Sequence, residues 1–247
     1  MHRFFVSKEQ IIDDHIFIEG KDFSHIKNVL RLREGERIEL SCHGINYISE
    51  IVDISNKTIR AKILSQEEGK SEPKIEITLF QGLPKGSKMD LVIQKCVELG
   101  VKDFYAVETA RSVAKIKDGK KESSKLERWQ AIAEEAAKQS KRDYIPQIKG
   151  ILKFNEMVDI LSDKKNIIVP YESEENLSIK DGLKAVEGND INLIIGPEGG
   201  FEEEEIEALK AIGSVVVSLG PRILRTETAG LVASTIILYQ LGELGVI

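Results

Sequence analysis

Cysteine is almost absent: only Cys42 and Cys96 occur in 247 residues, far apart and outside any paired-cysteine motif. That argues against a disulfide framework or a cysteine-based zinc site and fits a reducing compartment, so a cytoplasmic protein is expected. Histidine is nearly as scarce. His2, His15, His25 and His43 all lie near the N-terminus, which disfavours histidine acid–base chemistry later in the chain, and no metal is expected. Long apolar runs are missing too. The best one, Ala229 to Leu241, is broken by Ser234, Thr235 and Gln240 and is too short to span a bilayer. It reads as a core or interface helix, and no membrane is expected as a partner. No Arg-rich or apolar leader opens the chain, so no targeting segment is expected. Positive charge is also in short supply: the net charge is −6, which argues against a generic polyanion binder unless a local patch overrides the total.

What is present, 41% hydrophobic and 31% charged residues, describes an ordinary globular chain with length for one large domain or two small ones. Residues 1–70 read mostly as short strands. Arg3-Phe4-Phe5 and Ile16-Phe17-Ile18 are candidates, and Asp22 starts a short helix through Leu30. In Thr58 to Leu64, Ile59, Ala61 and Ile63 alternate with Arg60 and Lys62, which is the period of a half-buried strand. Several short strands with glycine turns suggest a small barrel. His25, Lys27, Arg31, Arg33 and Arg37 cluster here. With Arg3, Arg60 and Lys62 they make either an RNA-binding face or a solvated helix end. Ser65 to Lys74 is the linker candidate.

From residue 75 to 247 the rhythm becomes strand–helix alternation: strand Ile75 to Phe80, helix Met89 to Leu99, strand Asp103 to Val107, helix Ser124 to Lys141, a weak helix Phe154 to Leu161, strand Asn166 to Pro170, strand Asn192 to Ile195, helix Glu202 to Ile212, strand Val215 to Leu219 and the final helix. Such repetition implies an α/β domain with a mostly parallel sheet covered by helices. Ligands of open α/β sheets bind where strand-end loops meet. Two such loops stand out, Gly196-Pro197-Glu198-Gly199-Gly200 and Leu219-Gly220-Pro221-Arg222-Ile223-Leu224-Arg225-Thr226-Glu227-Thr228. Neither has the dinucleotide spacing, and Gly82 to Lys88 has the wrong spacing for a phosphate loop and reads as a plain loop before a helix. The helix after the first loop opens with Glu202-Glu203-Glu204-Glu205. Acids suit that end of a helix but repel a phosphate placed there. A cofactor without phosphate, or one carrying positive charge, fits better; S-adenosyl-L-methionine meets both conditions. A simple turn followed by an acidic helix start accounts for the same residues. Thr226 reads as the N-cap of the last helix, flanked by Arg225 and Glu227.

At these two loops the sequence resembles the SPOUT class of RNA methyltransferases, and within it the bacterial 16S ribosomal RNA uridine-N3 methyltransferases. The likeness extends over the whole chain through Gln94-Lys95, Glu98-Leu99-Gly100-Val101, Arg111-Ser112-Val113, and Gln139-Ser140 with Arg142 and Pro146. Lys138 and Lys141 depart from it, standing where an acid and a glycine are expected. The resemblance implies an N-terminal PUA-like RNA-binding β-barrel (residues 1–70) and a SPOUT methyltransferase domain with a deep trefoil knot (residues 75–247). It also implies a homodimer and methyl transfer to uridine N3 of 16S ribosomal RNA, free or in the small ribosomal subunit. Gly196, Pro197, Glu198, Gly199, Leu219, Gly220, Ile223, Leu224 and Thr226 would hold the cofactor, with Thr226 reaching its methionine tail. Arg225 would stabilise charge on a uracil oxygen, and Glu227 or Glu198 would take the N3 proton or orient Arg225. His25, Lys27, Arg31, Arg33, Arg111, Lys138 and Arg142 would meet RNA. Two alternatives stay open: another SPOUT enzyme acting on a ribose 2′-oxygen or a different base, and a non-catalytic RNA-binding assembly factor.

Overall fold

A computed structural model describes residues 1–55, 57–113 and 119–245. They group into two units: Met1–Glu72 with Ala137–Ile145, and Pro73–Ala136 with Pro146–Ile247. The excursion 137–145 departs from the expected division into 1–70 and 75–247. Its cause is long-range charge pairing, to which periodicity is blind.

The first unit contains β1 (Arg3–Phe5), β2 (Ile11–Ile12), β3 (His15–Ile18), α1 (Gly20–Ser24), a π-helical turn over His25–Leu30, β4 (Arg37–Cys42), β5 (Ile45–Ser55) and β6 (Thr58–Glu68). Its strands form one sheet in the order β1-β4-β5-β6-β3-β2, with β1 parallel to β4 and the other pairs antiparallel. The core gathers Phe4, Ile16, Ile18, Ile38, Leu40, Ile51, Ile59 and Ala61, with Ile63 partly buried against it. Period-2 alternation in β6 thus points inward as read.

Charge inside this unit corrects three expectations. Arg3 belongs to no basic surface: its guanidinium is 2.6 Å from Glu39 and 3.3 Å from Asp143, at 5% side-chain exposure. Arg142 is 4% exposed and ion-paired with Glu72 at 2.5 Å, and Lys138 is 11% exposed and paired with Asp22 at 2.8 Å. Arg142 and Lys138 are thus each engaged with a carboxylate of the same unit. Lys141, standing where the family pattern has glycine, takes φ +57, the left-handed conformation that glycine adopts without steric cost. Lys27, Arg31 and Arg33 are exposed and His25 is half-buried, edge-on to the Phe4 ring at 5.9 Å.

The second unit carries β7 (Glu76–Gly82), α2 (Lys88–Leu99), β8 (Asp103–Glu108), α3 (Gly119–Gln139, its last three residues counted with the first unit), β9 (Gln147–Lys153), α4 (Phe154–Leu161), β10 (Ile167–Pro170), α5 (Ile179–Gly182), β11 (Asp190–Ile195), α6 (Glu203–Ala211), β12 (Val215–Val217) and α7 (Thr226–Gln240). Its sheet runs β12-β10-β11-β7-β8-β9, and every pair is parallel. Strands buried on both faces read as unbroken apolar runs, hence Leu193-Ile194-Ile195 in β11 and Ile167-Ile168-Val169 in β10, all buried. Edge strand β9 and short α5 escaped the sequence reading. In β9, Lys149 and the left-handed Gly150 dilute the apolar signal.

Helix α7 buries Thr226, Gly230, Ala233, Ser234, Ile237 and Leu238, one stripe at helical spacing. Gly230 lets it lie close to the sheet, since a Cβ there would come within 3.2 Å of Gln81 Oε1. Among the described residues no helix is long and apolar enough to cross a membrane, and no group of three or more His, Cys, Asp or Glu is arranged to hold a metal ion.

Candidate functional site

Because β10, β11 and β12 are parallel and β10 lies between the other two, the loops that follow them emerge at one sheet edge. They enclose a cavity of about 360 Å³, within the usual range for small-molecule sites. Pro170, Tyr171, Ile195, Phe201, Leu219, Ile223 and Leu224 supply an apolar wall; Lys88, Glu172, Glu198, Ser218, Arg222, Arg225 and Thr226 supply polar groups.

The loop Gly196–Gly200 is held from three sides. A Cβ on Gly82 would strike the backbone at Gly196–Pro197, so the end of β7 needs glycine for backbone to lie on backbone. Gly200 closes the turn with φ +69 and donates its N–H to the Pro197 carbonyl at 3.0 Å. Thr226 supplies the third restraint, and here the structure differs from expectation. The N-cap position of α7 is Arg225, with no side-chain cap bond. The Thr226 hydroxyl instead donates to the Gly196 carbonyl at 2.5 Å and accepts from Gln81 Nε2 at 2.8 Å. Its only proton is therefore committed to joining the two loops.

Arg111 is likewise occupied. Its Nη1 donates to the Gly199 carbonyl at 3.1 Å, its Nε lies 3.8 Å from Glu202 Oε1, and a Cβ on Gly199 would approach Arg111 Cβ to 2.9 Å. The guanidinium buttresses the loop with half its side chain still exposed. The acidic run that follows is divided in role. Glu203 and Glu204 face solvent, whereas Glu205 is buried and accepts from the Ala110 and Glu202 backbone N–H groups at 2.9 and 3.0 Å. This is a capping arrangement at the helix N-terminus.

The carboxylates expected to face Arg225 face a lysine instead. Lys88 Nζ lies 3.0 Å from Glu198 Oε1 and 3.2 Å from Glu227 Oε2, and Glu198 Oε1 also accepts the Lys85 N–H at 3.1 Å. The approach to Glu227 is an ion-pair contact: that buried oxygen receives no well-formed hydrogen bond among the described residues. Burial pushes the Glu198 carboxyl up, but its own backbone N–H, Lys88 and the Lys85 N–H outweigh that and leave it below the ordinary value. The Lys88 ammonium is raised, chiefly by its hydrogen bond to Glu198. Arg225 and Arg222 are exposed, and neither guanidinium has an ion-pair partner among the described residues.

Gly196, Pro197, Glu198, Leu219, Gly220, Ile223, Leu224, Arg225 and Thr226 thus share one cavity. Gly199 lies behind it against Arg111, and Glu227 lies beyond its wall, reached through Lys88. Sequence reasoning missed Lys88, Gln81, Tyr171, Glu172, Phe201 and Arg222. For Lys88 a signal exists: a cation in the first turn of a helix opposes the helix dipole, so nearby anions are implied. Glu172, whose carboxylate sits against the Cα of Gly200, gives no such signal.

With this geometry in view, the comparisons with known proteins are specific. Residues 70–238 match the family profile described as an RNA methyltransferase domain, and residues 18–64 the profile described as an RNA methyltransferase PUA domain. The chain is 36% identical over 250 residues to the ribosomal RNA small subunit methyltransferase E of Bacillus subtilis, covering 97% of each chain. It is 32% identical to the protein of that name from Aquifex aeolicus, over 93% of this chain and 95% of the other. The crystal structure of the Neisseria gonorrhoeae ribosomal RNA small subunit methyltransferase E bound to S-adenosyl methionine superposes with TM-score 0.83 at 29% identity, covering 97% of each chain.

Proposed function

Because this chain belongs to the RNA methyltransferase family with an accompanying PUA domain, we propose that it methylates uridine N3 in 16S ribosomal RNA with S-adenosyl-L-methionine as donor. The observation that carries this reading is the cavity itself. Its apolar wall suits an adenine, its carboxylates Glu172 and Glu198 suit a cationic donor, and at Arg225 stands a guanidinium with no ion-pair partner among the described residues.

The residues fit the cofactor. Gly196, Pro197, Leu219, Gly220, Ile223 and Leu224 would hold the adenosine, and the bond from Thr226 to Gly196 keeps their two loops in register. When bound, S-adenosylmethionine supplies an electrophilic methyl group. Uridine N3 lies on the Watson–Crick edge, so the base must be unpaired or flipped out. As its proton departs, negative charge spreads onto the uracil oxygens, and Arg225 stabilises it. Glu198 and Glu227 tune the site through Lys88. In the first unit, Lys27, Arg31 and Arg33, with His25 beside them, meet RNA phosphates, and in the second the exposed part of Arg111 does so. A homodimer, a knotted second domain and a cytoplasmic location complete the reading. Ile223, at 87% exposure, and the half-exposed Leu231, Val232 and Ile236 of α7 give a dimer apolar surface to cover.

The test is direct. Arg225→Ala should bind S-adenosylmethionine within about threefold of wild type by calorimetry yet lose roughly 10²–10³-fold in turnover on 16S RNA, the size expected for one lost charge-stabilising donor. The product nucleotide is mapped by mass spectrometry. Wild-type turnover in Arg225→Ala removes that residue from the chemistry. A wild-type protein that gains no thermal stability from the cofactor is a binding module, not an enzyme.

A further inference from the structure

Lys88 opens α2, where its own helix least favours a cation, yet it lies on the cavity wall and its ammonium sits between two carboxylates from separate elements. Glu198, at 3.0 Å, comes from the loop after β11; Glu227, at 3.2 Å, comes from the first turn of α7. One turn before Lys88, the Lys85 backbone N–H takes the same Glu198 oxygen at 3.1 Å. Three chain segments far apart in sequence therefore meet at one nitrogen. Two carboxylates facing each other without it would repel, and burial of Glu198 would favour its neutral form.

We infer that Lys88 is a positioning residue for methyl transfer: it clamps the β7–α2 loop to both cofactor loops and holds the Glu198 carboxylate in place on the cavity wall. The clamp leaves the Glu198 carboxylate, with Glu172, on the wall that a cationic donor would meet. The inference rests on the reading of this cavity as the S-adenosylmethionine site.

Lys88→Met keeps the stem and removes the charge. By calorimetry it should bind S-adenosylmethionine at least tenfold more weakly at pH 7, with a smaller loss for the uncharged product S-adenosylhomocysteine. With the ammonium gone, only its own and the Lys85 backbone N–H groups still oppose burial at Glu198, and its carboxyl titrates at higher pH than in wild type. Affinity for S-adenosylmethionine should then fall on acidification from a higher pH in the variant than in wild type, a readout that a merely structural role would not move. Lys88→Arg should restore most of the affinity. Glu198→Gln should weaken binding in the wild-type background and change little beside Lys88→Met, because the pair acts as one unit. If Lys88→Met binds both molecules like wild type with an unchanged pH profile, or if the two substitutions add independently, the inference fails while the cofactor site stands. If wild type binds neither molecule, the reading of the cavity fails instead.

Discussion

Two clusters of charge in this chain contain similar residues and do different work. In the first unit Arg3, Glu39, Glu72, Arg142 and Asp143 form a sealed set. Asp143 is 2% exposed at its side chain and accepts from Asn46 at 2.7 Å and from the Ser71 N–H and hydroxyl at 2.9 and 2.8 Å. In the second unit Lys88, Glu198, Arg222 and Arg225 line a cavity with Glu227 behind Lys88, and two of the three cations have no anion among the described residues. A buried ion pair backed by hydrogen bonds, as at Asp143, specifies where a segment goes. An open cluster with leftover donors can act on something else. Residue type does not separate the two cases: before folding, Arg142 and Arg225 look alike.

The sealed side of that comparison should give the largest effect. Asp143→Ala leaves Arg3, Asn46 and Ser71 short of a partner, and urea denaturation should report a loss of about 3–5 kcal/mol, the usual result of removing one member of a buried pair. The pH dependence has a definite sign. Burial pushes the Asp143 carboxyl up, but hydrogen bonds from Asn46 and Ser71 and the charge of Arg3 overcome it and hold it below its ordinary value. Its stabilising contribution is therefore complete above the ordinary carboxylate value and is lost as pH falls through the lower folded value. Asp143→Ala should flatten the acid limb of the stability curve. Parallel acid limbs in the two proteins would mean the carboxyl is not the group that titrates.

On the open side, Gly199→Val forces a branched side chain against Arg111 Cβ, 2.9 Å from where a Cβ would sit. Displacing Arg111 removes its bond to the Gly199 carbonyl. S-Adenosylmethionine affinity should drop tenfold or more while the midpoint of the first unit's unfolding stays put. Equal affinity would separate that loop from the cavity's function. The smallest effect lies back in the sealed region. Lys141→Gly relieves a left-handed lysine and should stabilise by up to about 1 kcal/mol in thermal unfolding, the steric gain being partly offset by the greater freedom of glycine in the unfolded chain. A clear loss would show that the Lys141 Nζ contact with Glu39 at 3.8 Å outweighs the strain.

Much of the second unit was legible beforehand because its signals are local. Parallel strands buried on both faces leave apolar runs such as Leu193-Ile194-Ile195, and Gly200 and Gly196-Pro197 mark a turn whose backbone requirements show in single residues. The excursion of residues 137–145 was not legible. Its capture depends on Arg3 and Glu72 meeting Asp143 and Arg142, partners about 70 to 140 positions away, and the helical pattern simply ran on to Lys141. Thr226 shows an intermediate case. Its identity marked a helix start correctly, but the acceptor of its hydroxyl, the Gly196 carbonyl, lies 30 residues upstream.

Sequence alone determined the architecture of alternating strands and helices and the two loops that carry the site, because periodicity and glycine placement follow from backbone sterics acting over a few residues; the family showed in its resemblance to known motifs. Only the tertiary structure decided which cations are free and which are sealed, that Lys88 and not Arg225 holds the two glutamates, and that Thr226 joins the loops. Ion pairs and hydrogen bonds depend on distances of a few ångströms between residues that the chain order keeps far apart.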